Sequence, residues 1–250
     1  MLPRYSYPPR ALIRLGMDVI LHRRHSFRAD GIECLSLLQP PLKILGPRNI
    51  PQTGPALVTF NHYYCPGFQA WWIALAVAAV IPQEMHFVMT GELTYPGKWY
   101  APLGQAGSRW LLRQLARVYG LTTMPPMPPR PKDVEARALS VRKFLAYARE
   151  HPQAILGLAP EGGDNVPTGA LTWPSSGVGR FISLLAGQGF PVVPVGVYEQ
   201  DGEFCLSFGA AYRLPVRKGS RSGEKDRAAA ETVMKRIAEQ LPPQLRGPFA

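Results

Sequence analysis

Two short polar segments stand out by residue type and spacing. The first is Phe60-Asn61-His62-Tyr63-Tyr64-Cys65-Pro66-Gly67, which follows the apolar run Ala56 to Phe60. A histidine just past a buried strand and just before a helix is held rigidly, and imidazole is the natural general base near neutral pH. The helix start beside it offers free N–H groups that could stabilise an oxyanion. The second is Leu158-Ala159-Pro160-Glu161-Gly162-Gly163-Asp164-Asn165, behind the apolar run 154–158. There the glycines allow a ligand close to the backbone. Taken singly, His62 also reads as a satisfied loop histidine and Glu161 as part of a polar turn.

These segments need a scaffold, and the periodicity supplies one. Strands are expected at 56–60, 86–89, 121–124, 154–158, 191–198 and 204–208. Helices are expected at 10–25, from Pro66 or Gly67 to Val80, and at 107–119, 132–150, 177–188 and 223–240. Residues 40–55, with five prolines, read as loop, and 125–131 (PPMPPRP) as a stiff extended connector. Alternating strands and helices predict an α/β fold. It is a single domain with a largely parallel mixed sheet flanked by helices, plus an N-terminal amphipathic helix. The expected organisation is an amphipathic, membrane-facing segment over 1–39 and the α/β domain over 40–250. Chemistry in such sheets gathers at the C-terminal ends of the strands, where both polar segments fall.

The two segments come in a telling order: strand, Asn61-His62, helix, then strand, Pro160-Glu161-Gly162, then Gly177 at a helix start and Val193-Pro194-Val195. In this the chain resembles the glycerolipid acyltransferases, the lysophosphatidic acid acyltransferase-like enzymes, over roughly residues 40–210. The resemblance implies an O-acyltransferase. His62 would take a proton from the hydroxyl of a lysophospholipid-like acceptor, and that oxygen would attack the thioester of acyl-CoA or acyl-carrier protein. It implies no metal or redox cofactor. Asn61, Glu161 and Gly162 match motif positions that hold the substrate. The family carries an aspartate five residues after the histidine, and Gly67 stands there in this chain. Tyr63, Glu84, Glu92 and Asp164 are the candidates to orient His62 in its place. The family's Thr-Arg after the glutamate motif is Gly163-Asp164 here, and 120–126 lacks the family's arginine. Arg109, Arg113, Arg130 and Arg180 are the candidates for the acceptor's phosphate. The alternative reading is a non-catalytic lipid-binding protein of the membrane surface with the same fold.

Composition narrows the partners. The 250 residues carry 28 Lys and Arg against 17 Asp and Glu, a formal charge of +11. The surplus is local: net +4 over 1–30, +7 over 107–149 and +5 over 213–250, against −5 for the rest. Basic helices around a more acidic site suit peripheral docking on anionic lipid, and no nucleic-acid motif accompanies the charge. Residues 10–25 place Leu12, Ile13, Leu15, Val19 and Ile20 among four arginines, the pattern of an interfacial helix. The apolar run 68–81 is short of the ~20 residues a membrane-spanning helix needs. No signal peptide is read at the N-terminus, and the expected location is cytoplasmic, on the inner face of the cell membrane. Cys34, Cys65 and Cys205 are too sparse for a disulfide framework. A zinc site is not supported, because His62 and Cys65 lack a second ligand pair. There is no GxSxG, P-loop or GxGxxG. Trp71-Trp72-Ile73 reads as core or as the lining of an acyl-chain groove. His22, His25, His86 and His151 read as structural or solvated.

Overall fold

A computed structural model describes residues 3–95, 97–163, 169–215 and 222–250. Asp164 lies outside the described residues. The strands are β1 (Lys43–Leu45), β2 (Ala56–Phe60), β3 (Met85–Thr90), β4 (Thr122–Met124), β5 (Ile155–Leu158), β6 (Val192–Gln200) and β7 (Glu203–Phe208). They form one seven-stranded sheet in the order β1-β7-β6-β2-β5-β3-β4. Every pairing is parallel except the β6–β7 hairpin. The sheet is therefore the largely parallel mixed sheet that the alternation predicts.

The helices are α1 (Pro9–Leu21), α2 (Phe27–Leu35), α3 (Trp71–Val80), α4 (Ala101–Tyr119), α5 (Val134–Glu150), α6 (Val178–Gly187) and α7 (Ser222–Ala238). The crossovers set them on two faces of the sheet. The chain moves outward from β2 through α3 to β3 and through α4 to β4. It then returns through α5 to β5 and through α6 to β6. The packing follows this split. Phe27 of α2 meets Trp71, Phe87 and Tyr119 on one face. On the other, His86 stacks on Tyr147 of α5, and Phe144 meets Phe181 of α6. The fully buried strands β2 and β5 lie side by side at the point where the winding reverses. In open α/β sheets that reversal opens a crevice beyond the C-terminal strand ends.

Three expectations need correction. Residues 40–55 are not all loop, because β1 pairs in parallel with β7 at the sheet edge. Three exposed residues are too short a run to show alternation. Helix α2 has almost no amphipathic pattern, yet Ser26 caps it by accepting from the Ala29 N–H. It lies so close to α3 that a Cβ on Gly31 would stand 2.6 Å from the Leu75 carbonyl oxygen. Helix α3 starts at Trp71, not at Pro66 or Gly67, and Gly67 sits in the left-handed region at φ +88°. The segment after His62 is thus an open loop of several residues.

The N-terminal segment is part of the same packed body. Phe27, Cys34 and Leu38 enter the core, and Arg14 of α1 pairs with Asp30 and Glu33 of α2. Asp30 also accepts from Tyr119 at 2.7 Å, which ties α2 to α4.

Candidate active site at the C-terminal edge of the sheet

Strand β2 ends at Phe60, opposite Val195 of β6. The side chain of Asn61 then continues the pairing that its backbone abandons. Its Nδ2 donates to the Val197 carbonyl at 2.8 Å, and its Oδ1 accepts the Val197 N–H at 2.7 Å. A carboxamide is the side chain that can both donate and accept in this way. Asn61 is 1% exposed, so it fixes the chain's exit from the sheet and is buried beneath the site. The next residue, His62, is half-buried with its Nδ1 edge turned into the protein.

The His62 backbone N–H donates to Glu161 Oε2 at 2.8 Å. The other carboxylate oxygen of Glu161 accepts from Thr172 N–H at 2.8 Å and Thr172 Oγ1 at 3.1 Å. Glu161 is 4% exposed. Burial raises its pKa, against the lowering by the N–H donors of His62 and Thr172. In this structure the carboxylate is a bracket between the loops after β2 and β5. Gly162 carries φ +74°, and a Cβ there would lie 2.9 Å from Met127 Cγ. The proline connector therefore rests on the turn that holds Glu161. Arg137 of α5 secures that connector by donating to the Pro126 carbonyl at 2.9 Å.

The C-terminal end of β3 adds a charged cluster. Glu92 Oε2 accepts from Arg109 Nε at 3.0 Å and Nη2 at 2.7 Å, and Oε1 accepts from Arg130 Nη1 at 3.0 Å. Burial works to raise the Glu92 pKa, but the two arginines win and hold it below the usual carboxylate value. Arg130 also pairs with Asp133. Two of the four candidate arginines thus converge on one buried carboxylate. Arg113 is exposed on α4. Arg180 lines a groove between α6 and α7 of about 330 Å³, with Ser183, Leu184 and Lys225.

The candidates for orienting His62 also separate. Glu84 precedes β3, at the opposite edge of the sheet from His62, and is bound to Ser26. Glu92 is engaged by its two arginines. Tyr63 is buried edge-on to Phe68. Trp72 and Ile73 are core. His86 is buried on Tyr147, with its Nε2 2.8 Å from Thr122 Oγ1. Thr172, Tyr5 and Glu199, all partners of the site loops, carry no sequence signal: Thr172 lies outside the Glu161 motif, and the Tyr5–Glu199 and Cys65–Glu199 links span 194 and 134 residues. Among the described residues no three His, Cys, Asp or Glu side chains are placed to hold a metal ion. No described helix is long and apolar enough to cross a membrane.

Comparison with known proteins finds no matching family model and no matching curated protein. A solved structure does match: the 1-acyl-sn-glycerophosphate (LPA) acyltransferase PlsC from Thermotoga maritima. The similarity has a TM-score of 0.51 and covers 95% of this chain and 90% of that one, at 15% identity. The class this defines is structural: a single α/β domain with the fold of that acyltransferase.

Proposed function

We propose that this chain is an O-acyltransferase that moves a fatty acyl group from acyl-CoA or acyl-carrier protein to a lysophospholipid-like acceptor, with His62 as general base. The observation that carries the reading is the direct link between the two motif segments, His62 N–H to Glu161 Oε2. It joins them at the sheet's reversal point, within a fold shared with an LPA acyltransferase. In the proposed reaction, imidazole nitrogen removes the acceptor's hydroxyl proton as the oxygen attacks the thioester carbonyl carbon. The tetrahedral intermediate collapses with cleavage of the C–S bond. The imidazolium returns its proton to the leaving thiolate, giving ester and free thiol. Asn61 and Glu161 act as positioning residues beneath His62, and Arg109 and Arg130 offer cationic edges for the acceptor's headgroup.

Membrane docking is part of the proposal. On α1, Ile13, Met17 and Ile20 share one face, and Ile13 and Ile20 are 69% and 72% exposed. Arg10 flanks that stripe on α1, and Arg23 and Arg24 follow the helix. Trp99, Leu103 and Trp110, on and just before α4, add further exposed apolar surface. Such surfaces suit an anionic lipid interface on the cytoplasmic side, where acyl donors are found.

The test offers purified protein acyl-CoA together with lysophosphatidate, lysophosphatidylcholine or a lysolipid without phosphate, and identifies products by mass spectrometry. The proposal expects diacyl product from at least one acceptor and none from His62→Ala. Gly67, with its left-handed backbone where the family has an acid, favours the second reading, a lipid-binding protein without turnover. Lipid that co-purifies with no ester formed from any acceptor would establish that reading instead.

A further inference from the structure

The residues before α1 form a strap across the loop that carries His62. Backbone bonds between Arg4 and Gln39 hold its start. The Tyr5 ring packs on Phe68, Trp72 and Phe204, with centroids 5.4, 5.1 and 5.7 Å away. Tyr7 stacks on Trp72 and donates to Gln69 Oε1 at 2.7 Å. Strand β6 runs on past β2, so Glu199 stands beside the loop two residues beyond the Val197 that grips Asn61. Glu199 Oε1 accepts from the Tyr5 hydroxyl, and Oε2 accepts from Cys65 Sγ at 3.2 Å. One carboxylate therefore joins strap, sheet and the loop three residues after His62.

We infer that Tyr5 and Glu199 form a clamp that positions His62 by fixing the 61–70 loop against β6. The inference rests on the reading of His62 as the base. The loop needs such an outside restraint. It is not helical, it contains Gly67 at φ +88°, and a Cβ at Gly67 would meet nothing within 4 Å. Its inner end is held by Asn61 and Glu161. Past His62 the side-chain restraints include this clamp, Tyr7 on Gln69, and the buried Tyr63 and Phe68, with the Tyr63 hydroxyl also bonded to Cys65 and to the Glu199 backbone. Burial pushes the Tyr5 phenol well above its ordinary value and the Cys65 thiol up to about 11, so both remain donors at neutral pH. The strap runs directly into α1, so the clamp also joins the lipid-facing helix to the loop.

The test uses the full chain with Tyr5→Phe, Glu199→Gln and the double variant. Tyr5→Phe keeps the ring contacts and removes only the donor. Two measurements are made: hydrogen exchange by mass spectrometry, peptide by peptide, and steady-state acyl transfer. The clamp predicts faster exchange in 61–70 with β5 and α6 unchanged. It also predicts a kcat lower by roughly ten- to a hundred-fold, the scale of a misplaced catalytic group, with KM for the acyl donor unchanged. The double variant should be no better than the worse single one, because Glu199 holds Tyr5 and Cys65 by separate oxygens. Unchanged exchange in 61–70, a uniform rise across all peptides, or faster loop exchange with kcat intact would each overturn it. If the wild type transfers no acyl group, the reading of His62 fails, and the exchange pattern alone decides the clamp.

Discussion

The side chain of Asn61 makes the sharpest stability prediction. It exchanges two hydrogen bonds with the Val197 backbone, at 2.8 and 2.7 Å, in a site that is 1% exposed. Asn61→Ala removes both partners and leaves a buried N–H and a buried C=O without them. Each such orphan costs roughly 1–3 kcal/mol, so the variant should lose about 2–6 kcal/mol. For a chain of this size that is a fall in Tm of roughly 4–24 °C. Asn61→Asp separates hydrogen bonding from simple loss of volume. Its carboxylate can still accept the Val197 N–H, but its second oxygen faces the Val197 carbonyl and fits only when protonated. The folded pKa of that acid is therefore raised above its unfolded value. The stability it retains is present at low pH and lost as pH rises through the folded pKa. Urea unfolding of wild type and both variants at pH 5 and pH 8, compared at each pH, reads this directly. Asn61→Asp should fall further below wild type at pH 8 than at pH 5. An Asn61→Ala protein within about 0.5 kcal/mol of wild type, the scale of neutral surface changes, would refute the reasoning. So would an Asp variant whose deficit ignores pH.

Further outcomes follow from other elements. Burial lowers the pKa of His86 to about 4, so it stays neutral in the fold while the unfolded chain takes up a proton below about 6.5. Stability is therefore lost as pH falls from about 6.5 to 4, by up to ~3 kcal/mol. A His86→Gln variant should show a flatter curve of urea midpoint against pH, and an unchanged slope would contradict this. Glu84→Gln should leave kcat untouched, because Glu84 binds Ser26 at the far edge of the sheet. A fall in kcat of about ten-fold or more in Glu84→Gln, read in a steady-state assay, would contradict this. Ile13→Asp/Ile20→Asp should weaken sedimentation with anionic vesicles at least about ten-fold, since each isoleucine loses roughly 1.5–3 kcal/mol of apolar burial. Undiminished binding by that folded variant would remove α1 from the docking surface.

The sequence showed most of the sheet, because buried parallel strands read as short apolar runs and proline and glycine mark their ends. β2, β3 and β5 to β7 lie where those runs place them. It did not show β1, which owes its state to β7 and not to its own three residues. It missed α2, whose face against α3 is set by Gly31 and not by an apolar stripe. The start of α3 was misplaced because Pro66-Gly67 imitates a helix opening, whereas Gly67 turns left-handed. The motifs single out Asn61, His62 and Glu161, which the structure brings together, but they do not show that Glu161 binds backbone on both sides. Thr172, Glu199 and Tyr5 have no motif of their own. Glu199 and Tyr5 reach the site through tertiary contacts between distant segments, which local pattern does not encode.

The central claim is that His62 drives transfer of an acyl group from a thioester to a lipid hydroxyl. Its most direct test follows free thiol and new ester together in one reaction of purified protein with acyl-CoA and lysophospholipid vesicles. The account predicts that the two appear one for one, and that His62→Gln abolishes both while its urea unfolding curve stays close to that of wild type. Ester formation by His62→Gln at the wild-type rate would contradict it, as would a wild type that releases no thiol with any acceptor.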